Sequence, residues 1–256
     1  MVGSCSRARE SAGRFWVGTS GWSYGHWRGL FYPRALKPSD WLPYYAARLA
    51  TVELNMSFYR LPPEAMLETF KARTPDDFLF AVKAWRLITH RRRLAGAEDA
   101  LADFLKRIAR LGPKLGPVLF QLPPRLNYDL ARLQTFLSLL PKDQRFAFEF
   151  RDPSWHRREV YDLLARRNAA FCCFELGPLR SPKKATADFV YVRLHGRKQP
   201  YRGAYGAKGL KGWNKWLGAC LTSGRDAYVY FDNTDEADHA VRDALRLNRT
   251  LSAARR

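Results

Sequence analysis

The feature that most limits what this chain can fold into is an alternation, repeated eight times, between short segments of period two and longer segments of helical period. Period-two segments fall at about 14–18, 51–55, 78–83, 117–122, 145–150, 169–174, 189–195 and 226–232. In six of them one alternating set is apolar: Val52 and Leu54; Phe80 and Val82; Val118, Phe120 and Leu122; Phe146, Phe148 and Phe150; Val190, Val192 and Leu194; Val229 and Phe231. Successive strand residues point to opposite faces, so these sets would pack under helices. Suitable helices lie between them. One carries Leu101, Phe104, Leu105, Ile108 and Leu111 on one face, another Leu130, Leu133, Phe136, Leu137 and Leu140.

Regular strand–helix alternation implies a parallel sheet, and eight units imply closure. The expected fold class is therefore α/β, an eight-stranded parallel barrel of the TIM type; an open doubly wound sheet is the alternative. One unit is poorly formed. The connection Glu175–Asp188, after strand six, holds Pro178 and Pro182 and has no helical pattern. The expected organisation is a disordered lead-in at 1–13, one barrel domain at 14–248, and a basic, frayed tail at 249–256. Ser39 or Asp40 is expected to cap the first helix. No glycine fingerprint follows the first strand and no P-loop motif occurs, which weighs against a dinucleotide or Walker-type site.

Charge narrows the partners. Lys and Arg number 44 against 24 Asp and Glu, a formal net charge of +20. That excess suits an anionic ligand, with DNA, RNA or a phosphorylated molecule as candidates; a merely basic soluble protein is the plainer reading. No apolar run is long enough to span a bilayer, and the first residues lack the hydrophobic stretch of a secretory signal, so no membrane partner is expected. The cysteines, Cys5, Cys172, Cys173 and Cys220, form no Cys-x-x-Cys pair. They read as reduced thiols of a cytoplasmic protein. Oligomeric state is left open.

The inward strand faces carry the functional signal. They end in Glu53 and Asn55, Lys83, Gln121, Glu149 and Arg151, Arg193 and His195, and Asp232. In a closed parallel barrel the C-terminal strand ends share one rim, where barrel active sites are built. Glu53 or Glu149 can serve as general base, His195 can move a proton near neutral pH, and Asp232 completes the acid/base set. Arg151 and Arg193 can grip a phosphate or carboxylate bidentately, with Asn55 and Gln121 orienting it. Lys83, beside carboxylates, is expected to stay charged, which argues against a Schiff base. Tyr59 and Asn233, in the loops after Glu53 and Asp232, are further ligand contacts. The bland alternative is a self-neutralising network that caps the core.

Gly196–Gly209, GRKQPYRGAYGAKG, places glycines, basic residues, Tyr201 and Tyr205 between the seventh strand and a helix. Barrels often bind phosphate there, and such surfaces suit nucleic-acid strands. His26, His90, His156 and His195 all follow odd-numbered strands, so a divalent metal is conceivable. No HxH or HExxH pair supports it, and no metal ligand is assigned.

The runs VGTSGWSY, TVELNMSFYRLP, FAVKAWRLITH, GPVLFQLPPRL, FAFEFRDPSW, TADFVYVRLHG and YVYFDNT resemble the YecE-like family, a domain of unknown function, over about Phe15–Leu247. The resemblance implies an eight-stranded α/β barrel and no established activity. Its likeness in shape to endonuclease IV-type barrels implies, by analogy alone, a DNA-related role. Glu175 stands where that family often has an aspartate. Three functional readings follow: an enzyme acting on a phosphate-bearing substrate, such as a nucleic acid phosphodiester; a non-catalytic binder of nucleic acid or a phosphorylated metabolite; and a lyase or isomerase of a small phosphorylated or carboxylated molecule.

Overall fold

The computed structural model describes residues 12–234 and 237–254. The expected lead-in, with Cys5, falls almost wholly outside the described residues, as do the last two residues of the expected tail. In chain order the strands are β1 (Phe15–Ser20), β2 (Thr51–Leu54), β3 (Leu79–Lys83), β4 (Leu115–Leu122), β5 (Phe146–Phe150), β6 (Ala170–Leu176), β7 (Leu179–Arg180), β8 (Phe189–Leu194) and β9 (Asp226–Phe231). The helices are α1 (Trp41–Ala46), α2 (Met56–Tyr59), α3 (Glu64–Ala72), α4 (Glu98–Ile108), α5 (Leu130–Ser138), α6 (Arg158–Arg166), α7 (Gly206–Thr222) and α8 (His239–Ala253).

The sheet closes on itself. Its order is β5-β4-β3-β2-β1-β9-β8-β6, and β5 pairs β6 to complete a ring of eight parallel strands. The short β7 lies outside the ring, antiparallel to the end of β6, with Glu175 opposite Arg180. This hairpin fills the place where the sequence lacks a helix.

The two strand faces separate as the alternation requires. The outward set, including Val52, Phe80, Val118, Phe148, Val192 and Phe231, joins the helices in one apolar layer. The inward set is a small core of its own: Ala81, Leu119, Ala147, Ala170 and Cys172 on one side, Phe189, Tyr191, Tyr228 and Tyr230 on the other. Small residues face large ones, so the barrel interior is filled rather than open. Trp16 stacks on Tyr228 near the bottom, ring centroids 4.8 Å apart, and Tyr191 meets Tyr230 above them at 5.2 Å. The phenols need polar partners inside this core. Tyr230 finds Thr51 Oγ1 at 2.9 Å, and Tyr191 reaches upward to the mouth.

Helix termini follow charge and capping. Asp129 accepts from the Arg132 amide at 2.9 Å and starts α5. Glu98 and Asp99 open α4, while Lys106 and Arg107 close it, as the helix dipole favours. Neither Ser39 nor Asp40 caps α1 through its side chain; Asp40 pairs instead with Arg73 at 2.8 Å. The expected tail is also revised, because α8 continues to Ala253 and buries Leu251.

Candidate functional site

Past the apolar layers, the ends of β2, β3, β4, β5 and β8 and the segment after β9 bring polar side chains to the same rim. Arg193 on β8 lies at the centre, 1% exposed. Its Nη2 donates to Glu53 Oε2 (2.8 Å) and to Asp232 Oδ2 (3.3 Å), its Nη1 to Glu149 Oε2 (2.9 Å), and its Nε to Glu53 Oε2 (3.2 Å). One guanidinium thus joins β2, β5 and the segment after β9. A buried charge is tolerated only with such pairing.

Glu53 and Glu149 are fully buried, and their oxygens are already engaged. Glu53 accepts from Tyr191 OH on Oε1 at 2.7 Å and from Ser20 Oγ on Oε2 at 2.6 Å, besides Arg193. Ser20 sits opposite Glu53 in the β1–β2 register. Glu149 accepts from Arg151 Nε on Oε1, and the Cys172 thiol lies 3.7 Å from Oε2. Burial raises the Glu149 pKa, but Arg151 and Arg193 outweigh it and hold this carboxyl far below the usual range. A carboxylate so stabilised is a weak base. Cys172, buried beside it, is pushed well up and stays a thiol.

Above these lies a cavity of about 270 Å³ lined by Lys83, Gln121, Pro124, Arg151, Leu176, Leu179, Arg193, His195, Tyr201 and Asp232. Neither Glu53 nor Glu149 belongs to its wall. His195 backs the cavity. Its Nδ1 is 2.8 Å from Asp232 Oδ2 but makes no well-aligned hydrogen bond, and its Nε2 is 3.2 Å from Arg151 Nη2. Burial and the neighbouring Arg193 lower the His195 pKa below its ordinary value, so the ring is neutral at pH 7. Asp232 is also lowered, since His195 and Arg193 offset its burial. The Arg151 guanidinium rests over the Phe174 ring, 5.0 Å from its centroid.

Lys83 is a weaker base than an ordinary lysine, though still mostly charged at pH 7. Burial and Arg193 pull its pKa down to about 8, against the opposing pull of Glu149, Glu53 and Asp232. Desolvation and the central arginine outweigh the carboxylates in setting this shift. Its Nζ lies 4.3 Å from the Phe58 ring centroid.

Other expected residues are arranged differently. Tyr59 is 64% exposed on α2 and does not line the cavity. Asn55 heads α2 with its Oδ1 buried and without a partner among the described residues, also off the wall. Asn233 faces away from Asp232 and donates to Gly203 O at 2.8 Å. Of His26, His90, His156 and His195, only His195 lines the cavity. His90, held to about 4 by burial and by the charges of Lys83, Arg86 and Arg151, packs on Phe58. Among the described residues no group of three or more His, Cys, Asp and Glu is arranged to hold a metal.

The glycine-rich loop has its own order. Gly196 adopts φ +110°, and a Cβ there would stand 2.4 Å from Gln199 O, so only glycine fits. The start of α7 is already satisfied by a carboxylate: buried Asp243 on α8 accepts from the Tyr205 amide (2.6 Å) and the Gly206 amide (3.0 Å). These two amides, expected to greet phosphate, are taken.

Fold and rim together define a class: a parallel α/β barrel whose mouth holds a cation-lined cavity above a buried arginine–carboxylate cluster. The chain belongs to the family described as "Protein of unknown function DUF72", whose profile matches residues 16–256, in line with the YecE-like resemblance. It is 26% identical to UPF0759 protein YunF of Bacillus subtilis (strain 168), over 88% of this chain and 90% of that protein. It is 30% identical over 141 residues to UPF0759 protein YecE of Escherichia coli (strain K12), a match spanning 55% of this chain and about half, 49%, of that relative. The crystal structure of a DUF72 family protein from Thermotoga maritima superposes with a TM-score of 0.85 at 29% identity, covering 93% of this chain and 99% of that one. One from Enterococcus faecalis V583 gives 0.78 at 19% identity, covering 93% and 95%, a likeness of fold alone. No helix among the described residues is long and apolar enough to cross a membrane.

Proposed function

We propose that the protein is an enzyme that binds a small phosphorylated or carboxylated molecule in the rim cavity and moves a proton on it, as a lyase or isomerase would. The observation that carries this reading is the sign of the cavity wall. Lys83, Arg151 and Arg193 line it against Asp232 alone, while the other two carboxylates are turned beneath it. Glu53 and Glu149 beneath the wall balance its net charge, but the groups at the cavity surface are mostly cationic donors, which favours an anionic group there. At about 270 Å³ the space suits a few carbons and one such group, rather than a stacked nucleotide. Arg151 and Lys83 would hold the anion, with Gln121 beside it. The His195–Asp232 couple would take the proton, because it lines the cavity and His195 is neutral at pH 7. Glu53 and Glu149 would position Arg193 rather than act on substrate.

The test has two stages. Thermal-shift measurements with three- to five-carbon phosphate esters and carboxylic acids should find stabilisers, and Arg151→Leu should abolish the effect. A stabiliser incubated with the protein in D2O should exchange a carbon-bound proton, and His195→Asn should stop the exchange without stopping binding. Binding without exchange in the unmodified protein would make it a binder and not an enzyme.

A second observation favours a phosphate-rich strand as ligand. Leu179 and Tyr201 line the rim cavity, while their chain neighbours Arg180 and Arg202 line a second one of about 340 Å³ with Arg197 and Lys198. On this reading a single-stranded oligonucleotide binds across the two, with affinity that falls steeply as salt rises.

A further inference from the structure

We infer that Lys83 is a nucleophile that forms an imine with the carbonyl carbon of a small aldehyde or ketone bearing a carboxylate or phosphate. The inference rests on the small-anion reading of the rim and narrows its substrate class.

The argument starts from what the other cations do. Arg193 is shared among three carboxylates and Arg151 is paired with Glu149. Lys83 is different. Among the described residues its Nζ has neither a hydrogen bond nor an ion pair, only the face of Phe58. Lys83 is half-buried at the cavity wall, and an ammonium partly drawn from water there without a partner is disfavoured. If its only task were to hold an anion, a second arginine fork would do it better. A lysine amine differs from arginine in one chemical respect: it can lose its proton and attack. It does so when desolvated and set beside another cation. Here the cation is Arg193, and the remaining charged groups around it are Glu149, Glu53 and Asp232, with His90 a neutral titratable neighbour. With a pKa of about 8 the free amine is on the order of a hundredfold more abundant at pH 7 than on an ordinary lysine.

The step balances without any oxidant or reductant. The Lys83 amine adds to the carbonyl carbon, forming a C–N bond while the C=O π pair moves to oxygen. The nitrogen gives up one proton and that oxygen takes one, giving a carbinolamine. A second proton on the oxygen releases it as water as the nitrogen lone pair forms the C=N bond, leaving a protonated imine. The His195–Asp232 couple lines the same cavity and can pass these protons. The iminium nitrogen then accepts the electron pair of a C–H or C–C bond one carbon away, the step a lyase or isomerase requires. Arg151 fixes the substrate's anionic end.

The full chain is incubated with glyoxylate or pyruvate and reduced with cyanoborohydride, and adducts are mapped by peptide mass spectrometry. Lys83 should label at least about tenfold faster than the surface lysines, and the uncharged probe propionaldehyde should label it more slowly than glyoxylate. Lys83→Arg keeps the charge and should show no adduct in that peptide. Labelling of Lys83 no faster than the surface lysines overturns the inference. Thermal stabilisation by inorganic phosphate, measured on the same protein, separates the two levels. Stabilisation without an imine sinks Lys83 as nucleophile and leaves the anion site standing; neither stabilisation nor imine sinks both.

Discussion

The two ends of the barrel each carry an arginine surrounded by acids, and they differ in what is left over. At the bottom, Arg145 donates to Asp226 Oδ2 (2.7 Å) and Tyr228 OH (2.9 Å) and lies 3.7 Å from Asp188, while the other Asp226 oxygen takes the Arg14 amide at 2.6 Å. The cluster stitches β1, β5 and β9 together, partly in solvent. At the top, Arg193 is sealed from water, and among the described residues its cluster leaves the Lys83 amine unpartnered and His195 Nδ1 out of line with Asp232. A network built only for stability satisfies its members. Among the described residues the mouth leaves Lys83 and His195 without a well-aligned partner beside a cavity, and that difference supports reading the mouth, rather than the bottom, as the candidate site.

The contrast can be broken most forcefully at its centres. Arg193→Met leaves Glu53 facing buried carboxyl neighbours without their shared counter-charge, and should cost about 3–5 kcal/mol in chemical denaturation. Adding Glu53→Gln and Glu149→Gln should recover much of that loss. No recovery would mean that packing, and not charge, makes Arg193 matter. Arg145→Ala, at the half-solvated end, should cost only about 1 kcal/mol. Equal losses at the two ends would erase the distinction.

A smaller effect lies in pH. A histidine whose folded pKa is lowered binds fewer protons folded than unfolded, so its contribution is full above the ordinary histidine pKa and is lost as pH falls through it. Stability should therefore decline below about pH 6.5, and again in the carboxylate range as Glu149 and Asp232 are forced to protonate. His195→Gln should flatten the first decline in part, with His90 and His156, also lowered by burial, accounting for the rest. An unchanged slope would show that His195 titrates in the native state as it does in the unfolded chain.

Much of this was legible in the sequence, and the exceptions share a cause. Period-two alternation assigns Phe80 and Val82 outward and Ala81 and Lys83 inward because a strand has only two faces, and the structure agrees. What alternation cannot supply is height. Tyr191 reads as a core filler, and only the stagger of β8 against β2 lifts its hydroxyl to Glu53. Ser20 looks like the start of a loop, but β1 runs to it. Phe174 under Arg151 was unmarked for the same reason. Nor is a neighbour in sequence a neighbour in space. Asn233 follows Asp232 and so faces the other way, toward Gly203 and Asp243. Asp243 itself, on α8, gave no signal, because its partners are backbone amides from a loop nearly forty residues earlier.

The central claim is that the mouth keeps a deprotonatable, unpaired amine for an anionic ligand. The rate at which trinitrobenzenesulfonate labels Lys83, followed by peptide mass spectrometry across pH, tests it most directly. The half-maximal rate should fall near pH 8, and inorganic phosphate should protect Lys83 while leaving surface lysines unaffected. A Lys83 that titrates like those surface lysines, with no protection by phosphate, would contradict the account.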